Sequence, residues 1–397
     1  MNTTLQEITI KVKKIHSILK EQGLQNILLR SIPNCLYITG SVSQSFILVD
    51  RSRELPIIFL ERPTNTLEGY PEELIYSIRK PELIPDILSE LGLSINEQSA
   101  LELGYLPFTE YQRLSKLSPN GVSDIDGSTL MREVRSIKTE TELTETRRVA
   151  QIHAEIYRLV PKFYRPGITE LELQHELEYQ MRRRGSIGIF RAFGARMEIH
   201  MGNVIAGDNA DNPAPYDFTM GGKGVFAMPM GASGQEILPG TALMVDLSGN
   251  YGVYQSDITR TYYLGELPKE VIRAHHLSIE FQRWFESYAK DGAPVAEVYN
   301  HFLRRAEEEG FAEYFMGHEN QVKFVGHGVG IEINEPPVLT ARSKDIFRAN
   351  MVIALEPKFV FPKVGAVGLE NTYIIGRDGA ENITPLPEAL IPLVINE

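Results

Sequence analysis

The length, composition and charge of the chain limit what it can be. Its 397 residues exceed the size at which one hydrophobic core usually stops growing, so two domains are expected. A formal net charge of −12 argues against a nucleic-acid partner, and no run of apolar residues is long enough to predict a membrane span. The single cysteine, Cys35, excludes an internal disulfide, and the N-terminal pattern is not that of a secretion signal, so a cytoplasmic protein is expected.

The first part of the chain, residues 1–135, alternates helical and strand-like segments. An amphipathic helix extends to about Gln22 and precedes four apolar runs that we interpret as strands: NILLR, YITG, FILVD and LPIIFL. A helical LIPDILSEL segment and a short LELG strand follow. The pattern predicts a small α/β domain, and without a glycine-rich loop after its first strand it gives little support to a nucleotide site.

A second domain is expected over residues 136–397. Capping boxes begin two of its helices, one with Thr139 and Glu142 and one with Thr169 and Glu172. Later helices are predicted after Pro268 and before a glycine at position 310. Apolar strand pairs lie between and after these helices, so the domain mixes both types of structure.

The segment TALMVDLSGNYGVYQSDITRTYYLG predicts a β-hairpin that carries two aspartates. If its turn centres on Tyr251 and Gly252, Asp246 and Asp257 face each other across the strands. Two like charges at that distance repel unless something lies between them, and a cation would remove the conflict. The alternative is a pair of aspartates near a solvated turn.

The segment MVIALEPKFVFPKVGAVGLENTYII repeats this arrangement with glutamates, because Glu356 and Glu370 each follow an apolar strand. Acids in such company need cations or hydrogen-bond partners. A fifth residue, His327 in KFVGHGVGIEINEPP, has glycine on both sides, which lets backbone or a bound ligand approach closely. Four carboxylates and one imidazole suit divalent ions such as Mn, Fe, Co or Zn.

The order Asp, Asp, His, Glu, Glu, with DITRT after the second aspartate and GHGVG around the histidine, resembles the "pita-bread" metallopeptidase family of methionine aminopeptidase, aminopeptidase P, prolidase and creatinase. The resemblance is closest to the two-domain Xaa-Pro peptidase branch. It implies an α+β protein with a C-terminal pita-bread catalytic domain over residues 136–397. A smaller α/β creatinase N-terminal-like domain would precede it over residues 1–135, and a homodimer would be expected.

The resemblance also implies roles for the five residues. Asp246 would bind one divalent metal ion, His327 and Glu356 a second, and Asp257 and Glu370 would bridge the two, with manganese the first expectation. Two such ions can share and acidify a water that attacks a polarised carbonyl, with Glu356 as general base. The expected reaction is hydrolysis of the peptide bond that follows the N-terminal residue, which releases that residue from a peptide or dipeptide.

The sequence departs from the family pattern around these residues. Asn334 stands where a second histidine is usual, Pro229 and Met230 replace an expected Pro-His pair, and Gly368 replaces an arginine. We therefore expect Asn334 to contact an altered substrate. His200 and His318 are candidates for the missing catalytic histidines, although structural roles are the simpler explanation for both.

Two other functions remain open at this stage. The first is a related enzyme with a non-peptide substrate, either a creatinase-like amidinohydrolase or a metal-dependent lyase. The second is a binding protein without catalysis, which the presence of all five ligand-type residues argues against. For the peptidase and for the related enzyme with a non-peptide substrate, the expected partner is a peptide or a small amide.

Overall fold

The structure is a computed structural model that describes residues 4–62, 67, 69–189, 191–194, 200–215 and 221–393. The chain divides into two compact units, Met1–Arg135 and Ser136–Glu397. Among the described residues, none of the helices combines the length and the apolar character that crossing a membrane requires.

The first unit contains a five-stranded sheet with the strand order β4-β3-β2-β1-β5. Strand β1 pairs antiparallel with β2 and parallel with β5. The side chains of β1, β2 and β3 are buried throughout, which explains why their sequences are continuously apolar. The elements of this unit are α1 (Leu5–Glu21), β1 (Asn26–Leu29), α2 (Ile32–Thr39), β2 (Ser45–Asp50), β3 (Ile57–Leu60), β4 (Ile75–Ser77), α3 (Ile84–Glu90), β5 (Ser99–Leu101), α4 (Phe108–Ser115) and α5 (Gly127–Ser136).

One strand prediction in this unit is wrong. The YITG run belongs to helix α2, not to a strand. The local signals for a helix outweigh the apolar character of the run, since Ser31 caps its start, proline lies in its first turn, and Gly40 ends it in the left-handed conformation. The carboxylate of the buried Glu102 also accepts hydrogen bonds from Ser31 N and Oγ, which fixes the start of the helix.

The strands that the structure describes in the second unit form three sheets. Their strand orders are β10-β9-β11-β14-β15, β12-β13 and β16-β8-β7-β6. The elements are α6 (Glu140–Tyr157), α7 (Val160–Phe163), α8 (Glu170–Arg183), β6 (Gly202–Ala206), β7 (Thr241–Gly249), β8 (Ser256–Leu264), α9 (Lys269–Tyr288), α10 (Ala296–Glu308), β9 (Gly326–Gly328), β10 (Glu335–Val338), β11 (Val352–Leu355), β12 (Lys358–Phe361), β13 (Gly365–Gly368), β14 (Asn371–Ile375), β15 (Ala380–Asn382) and β16 (Ile391–Pro392).

The helices of this unit pack on the strands in several apolar clusters, one of which joins α6 to β11 and β14. Helices α6 and α8 pack with Val245 of β7 and Ile258 of β8, while α9 and α10 pack with Phe359 of β12 and Val367 of β13. Both predicted capping boxes are present, at the starts of α6 and α8. The helix predicted after Pro268 is α9, and the helix predicted to end at the glycine of position 310 is α10.

Arg260 connects strand β8 to the segment that leads into β14, and each of the two contributes an acidic residue to the candidate site. It lies on β8 and is only 1% exposed. Its guanidinium donates to the carbonyl oxygens of Thr259 and Glu370, each at 2.8 Å, and to Asn371 Oδ1 at 2.8 Å. A further bond reaches the carbonyl oxygen of Pro387 at 2.7 Å. Because the guanidinium fork satisfies several buried acceptors at once, it fixes the backbone at Glu370 against β8.

We predict that Arg260→Met lowers the free energy of unfolding of the second unit by about 3 kcal/mol or more, because buried acceptors lose their donor. The single tryptophan, Trp284, lies in α9, so its fluorescence during urea denaturation reports on this unit. Arg273→Met is the matched control, since Arg273 is largely exposed and the ion pair described for it is with Glu309. Equal stability of the two variants would contradict the role given to Arg260.

Candidate metal centre

The two aspartates lie on one β-hairpin, but they are not directly opposite each other as predicted. The pairing of β7 with β8 places Asp246 opposite Thr259 and Asp257 opposite Ser248. The loop consists of residues 250–255, so its centre lies one position later than the predicted turn. The two aspartates are therefore diagonal neighbours on one face of the hairpin, a spacing at which their side chains still converge.

Glu356 and Glu370 enter the site from the ends of strands, as their apolar neighbours predict. Glu356 follows β11 and its backbone N donates to the carbonyl oxygen of Val325 at 2.9 Å. Glu370 precedes β14 and exchanges two backbone hydrogen bonds with Thr259 of β8. The hydroxyl of Thr259 also donates to Glu370 Oε2 at 2.8 Å. This hydroxyl orients the glutamate, and sequence reasoning did not identify it.

Asp257 is held in a similar way by a second threonine that the sequence analysis missed. The Thr372 hydroxyl accepts from the backbone N of Asp257 at 3.0 Å and donates to its carbonyl oxygen at 2.8 Å. Thr372 lies on β14, beside Asn371. The β7–β8 hairpin and the sheet that contains β14 are therefore connected both at Asp257 and at Glu370. The threonines in the sequence runs DITRT and ENT were the signals that could have shown these connections.

The glycines around His327 allow neighbouring strands to approach. A Cβ atom added to Gly326 would lie 2.2 Å from the carbonyl oxygen of Ala354, and one added to Gly328 would lie 2.2 Å from that of Pro336. Strand β9 thus fits between β11 and β10 only without these side chains. Of the two explanations offered by the sequence, close approach of backbone is the one that the structure shows.

The imidazole of His327 presents one nitrogen to the acids. Its Nε2 atom lies 3.5 Å from Glu356 Oε1 and 3.8 Å from Asp257 Oδ2. Its Nδ1 atom lies 3.1 Å from the carbonyl oxygen of Gly328, so a proton on Nδ1 has an acceptor. That arrangement leaves the Nε2 lone pair directed at the carboxylates, which is the form of histidine that binds a metal ion.

Two groups of donor atoms result, and they share Glu370. The first consists of Asp257, His327 and Glu370, and the second of Asp246, Glu356 and Glu370. Within each group the donor atoms all lie within 4.8 Å of one another. All five residues predicted as metal ligands are thus brought together. The nitrogen and oxygen donors of the first group fit a divalent ion of the Mn, Fe, Co or Zn type.

The acids of the centre repel each other. Burial raises the pKa of Asp257 well above its ordinary value, and the carboxylates of Asp246 and Glu356 raise it further. Burial likewise raises the pKa of Glu370, and Asp257 and Glu356 add to the effect. Cations placed between these groups would offset the repulsion between the carboxylates and so lower the pKa of both acids.

Lys358, which sequence reasoning missed, brings a cation into the second group. Its side chain is 1% exposed, and its ammonium lies 2.7 Å from Asp246 Oδ2 and 2.9 Å from Glu356 Oε2. Burial disfavours the charge of the lysine, but the carboxylates of Asp246 and Glu356 outweigh burial and hold the pKa of Lys358 well above its ordinary value. The second group therefore does not fit a metal ion while this ammonium remains. The signal was a lysine in an otherwise apolar strand, two residues after Glu356.

Gly368 lies directly opposite Lys358 in the β12-β13 pair. Its φ of +143° favours glycine, and an added Cβ atom would lie 2.4 Å from the carbonyl oxygen of Pro357 and 3.3 Å from Lys358 Cγ. An arginine at this position would require the backbone to shift. The glycine leaves the space along which the lysine stem extends.

Asn334 bonds to the backbone of a neighbouring segment. Its Oδ1 atom accepts from the backbone N of Phe193 at 2.8 Å, and its Nδ2 atom donates to the carbonyl oxygen of Phe193 at 2.9 Å. The carboxamide thereby holds residues 191–194 beside the loop that follows His327. Its predicted contact with substrate stays a prediction.

Neither of the two candidate catalytic histidines is in the donor groups that share Glu370, as far as the described residues show. His318 Nδ1 lies 2.9 Å from Asp211 Oδ2, and the ring stacks on Tyr314. His200 is half-buried and directly precedes Met201, whose carbonyl oxygen accepts from Ser248 N. Their catalytic roles stay predictions, and the contacts of His318 favour a structural one.

The sequence matches two family models that follow each other along the chain. Residues 144–377 match metallopeptidase family M24, and residues 11–137 match the creatinase/prolidase N-terminal domain. The chain belongs to metallopeptidase family M24. The predicted family, the α+β fold with its two-domain order, and the assignment to the peptidase hydrolases are confirmed. Members of this family use divalent metal ions.

Individual relatives agree with this assignment. The chain is 26% identical over 387 residues to an Xaa-Pro dipeptidase of Pyrococcus horikoshii, with 96% of this chain and 98% of the relative covered. Its fold is similar to that of an Xaa-Pro dipeptidase from Bacillus anthracis, with a TM-score of 0.79, 24% identity and 97% and 100% coverage. An X-Pro aminopeptidase from Thermotoga maritima gives a TM-score of 0.74 at 21% identity, with 94% and 99% coverage.

We predict that a divalent ion stabilises the second unit, because it offsets the repulsion between Asp257 and Glu370. Chelation should lower the melting temperature of the purified protein, and added manganese should raise it again. The measurement is thermal unfolding followed by Trp284 fluorescence. Asp257→Asn is the test variant, and Asp291→Asn, outside the centre, is the control. An equal response of both variants to manganese would show that the ion binds elsewhere.

Proposed function

We propose that this chain is a metal-dependent peptidase of the Xaa-Pro peptidase type, which removes the N-terminal residue from a dipeptide or short peptide. The observation that carries the proposal is the convergence of Asp257, His327 and Glu370 in one group of donor atoms. The names of the relatives support hydrolysis of a peptide bond. The alternative, a small non-peptide amide, is an outcome of the substrate test below.

The residues of the first group would hold a divalent ion. Such an ion supplies Lewis acidity, which polarises the carbonyl of the scissile bond and makes a nearby water more acidic. Asp257 and Glu370 contribute the negative charge, and His327 contributes a neutral nitrogen through Nε2. The two threonines at positions 259 and 372 keep the acids in place through the hydrogen bonds described above.

Glu356 is the proposed general base. Its Oε2 atom accepts from Lys358, and its Oε1 atom faces Nε2 of His327 at 3.5 Å. A water that attacks the carbonyl carbon would give a proton to this carboxylate, and the carboxylate would pass the proton to the amine nitrogen as the C–N bond breaks. The bond to Lys358 fixes the orientation of the carboxylate during both steps.

Manganese is the metal that we propose, because oxygen-rich sites with one imidazole accept it well. The resemblance to the family implies two ions. However, the ammonium of Lys358 is bonded to Asp246 and Glu356, two of the carboxylates that would bind the second ion. The homodimer and the cytoplasmic location stay predictions, as does the peptide or small amide as partner.

Replacement of Glu356 by glutamine should leave most of the bound metal in place and abolish most of the turnover. The amide oxygen can still bind an ion, but the proton acceptor is lost, and general base catalysis contributes about 10²- to 10⁴-fold. Metal content by mass spectrometry and kcat on a peptide substrate give the two readouts. Glu381→Gln, at an exposed ion pair, is the control. Turnover close to that of the control would place the base elsewhere, and His200 and His318 would be tested next.

Ordinary Xaa-Pro dipeptides should be poor substrates compared with other peptides. Asn334 offers a neutral amide in place of a protonatable imidazole, and a lost oxyanion donor costs roughly 10²- to 10³-fold in turnover. The arginine that could grip a substrate carboxylate is replaced by Gly368. The test compares Xaa-Pro dipeptides, Xaa-Pro-Yaa tripeptides, non-prolyl peptides and small amides on manganese-loaded protein. A kcat/KM above about 10⁴ M⁻¹ s⁻¹ on an Xaa-Pro dipeptide would overturn this prediction.

A further inference from the structure

A cation that belongs to the polypeptide lies within the group of acids. The ammonium of Lys358 forms hydrogen bonds to Asp246 Oδ2 and Glu356 Oε2, which are two of the three carboxylates in the second donor group. Charge-assisted bonds of this kind are short and strong, and the low exposure of the lysine keeps water from competing for them.

The backbone around the lysine aims its side chain at this position. Strand β12 begins at Lys358 and pairs with β13, where Gly368 faces the lysine. On its other side, the carbonyl oxygen of Lys358 accepts from the backbone N of Met316 at 2.9 Å. A strand that is bonded on both edges cannot rotate the residue outwards. The buried stem therefore has a route to the acids that Gly368 leaves open.

We propose that the ammonium of Lys358 takes one of the two cation positions of the centre, so that the protein binds one divalent metal ion per chain. The ion would be held by Asp257, His327 and Glu370, with Oε1 of Glu356 beside His327. Lys358 would replace the ion that Asp246 would otherwise bind. This inference rests on the proposed function only in taking the centre to be a metal site.

The balance of charge favours one ion. The centre contains four carboxylates, those of Asp246, Asp257, Glu356 and Glu370. One divalent ion and one ammonium supply three positive charges against these four, which leaves a small negative excess. Two divalent ions and the ammonium would supply five, and the second ion would have to share the oxygen atoms of Asp246 and Glu356 with a cation already bonded to them.

The geometry also indicates which of the two cation positions can bind the metal ion. Lys358 bonds to Oε2 of Glu356, whereas Oε1 of the same carboxylate faces His327. The lysine thus occupies the side of the centre near Asp246, and the side near the imidazole keeps its donors. The described hydrogen bonds of the ammonium go to Asp246 and Glu356, and none of them joins it to the first group.

The test is the number of manganese ions bound per chain. Full-length protein and its variants are dialysed against increasing MnCl₂, and bound metal is measured by mass spectrometry. Wild-type protein should bind one ion tightly. Lys358→Ala should bind a second ion at least about 100-fold more tightly than wild type does, because each bond to the ammonium corresponds to roughly a tenfold change in affinity. Lys358→Arg keeps the cation and should bind one, and Lys269→Ala, at an exposed helix start, is the control.

Electron paramagnetic resonance of the same samples gives an independent readout. Isolated Mn(II) is expected for wild type and Lys358→Arg, and a spin-coupled pair for Lys358→Ala. Two ions of similar affinity in the wild type would overturn the proposal, as would a single ion in both wild type and a folded Lys358→Ala protein. If Lys358→Ala does not fold, the wild-type stoichiometry and spectrum still decide, since a coupled pair there refutes the proposal and an isolated ion supports it.

The same experiment separates this inference from the proposed function. Wild-type protein that binds two ions and hydrolyses peptides would refute the role of Lys358 and leave the function intact. Wild-type protein that binds one ion, gains a second on Lys358→Ala replacement, and hydrolyses no peptide in the substrate panel would support the role of Lys358 and refute the peptidase assignment.

Discussion

Repulsion between buried carboxylates is the constraint on which the rest of the second unit depends. Four acids, from β7, from β8 and from the ends of β11 and β14, meet in one small space, and no arrangement of apolar neighbours can compensate for their charge. The surrounding structure can be understood as the means of holding them together. Arg260 fixes the backbone at Glu370, and Thr259 and Thr372 bond to the acids or to their backbones. The ammonium of Lys358 supplies one positive charge among these acids.

The residues around the candidate metal centre position its side chains, and they contribute less to the stability of the fold as a whole. Gly326 and Gly328 remove side chains so that three strands can meet at His327, and Gly368 does the same for the lysine stem. Glycine in a strand weakens it, so such residues are expected where a close approach is needed. The cost in strand stability is offset by the apolar clusters in which the helices pack on the strands.

The sequence indicated much of this arrangement, for identifiable reasons. The four acids could be found because each lies in or beside an apolar strand, and His327 because glycine lies on both sides of it. The order of the five residues also matches a known family. The hairpin register was wrong by two residues since turn centres cannot be read reliably from a Gly-Asn-Tyr-Gly run. Tyr37 and its neighbours were assigned to a strand, although the cap at Ser31 favoured a helix. Lys358 was missed because a lysine in a strand is usually exposed, and only the fold shows that its stem points inwards.

The bonds of Lys358 to Asp246 and Glu356 affect the protein before any metal arrives. A metal ion can be lost to chelators or be scarce in the growth medium, but an ammonium on the polypeptide is present from the moment of synthesis. Half of the acidic cluster therefore has its counter-charge as soon as the chain folds. The newly made protein can reach its native arrangement with fewer unpaired charges, and its maturation then depends less on the supply of metal in the cell.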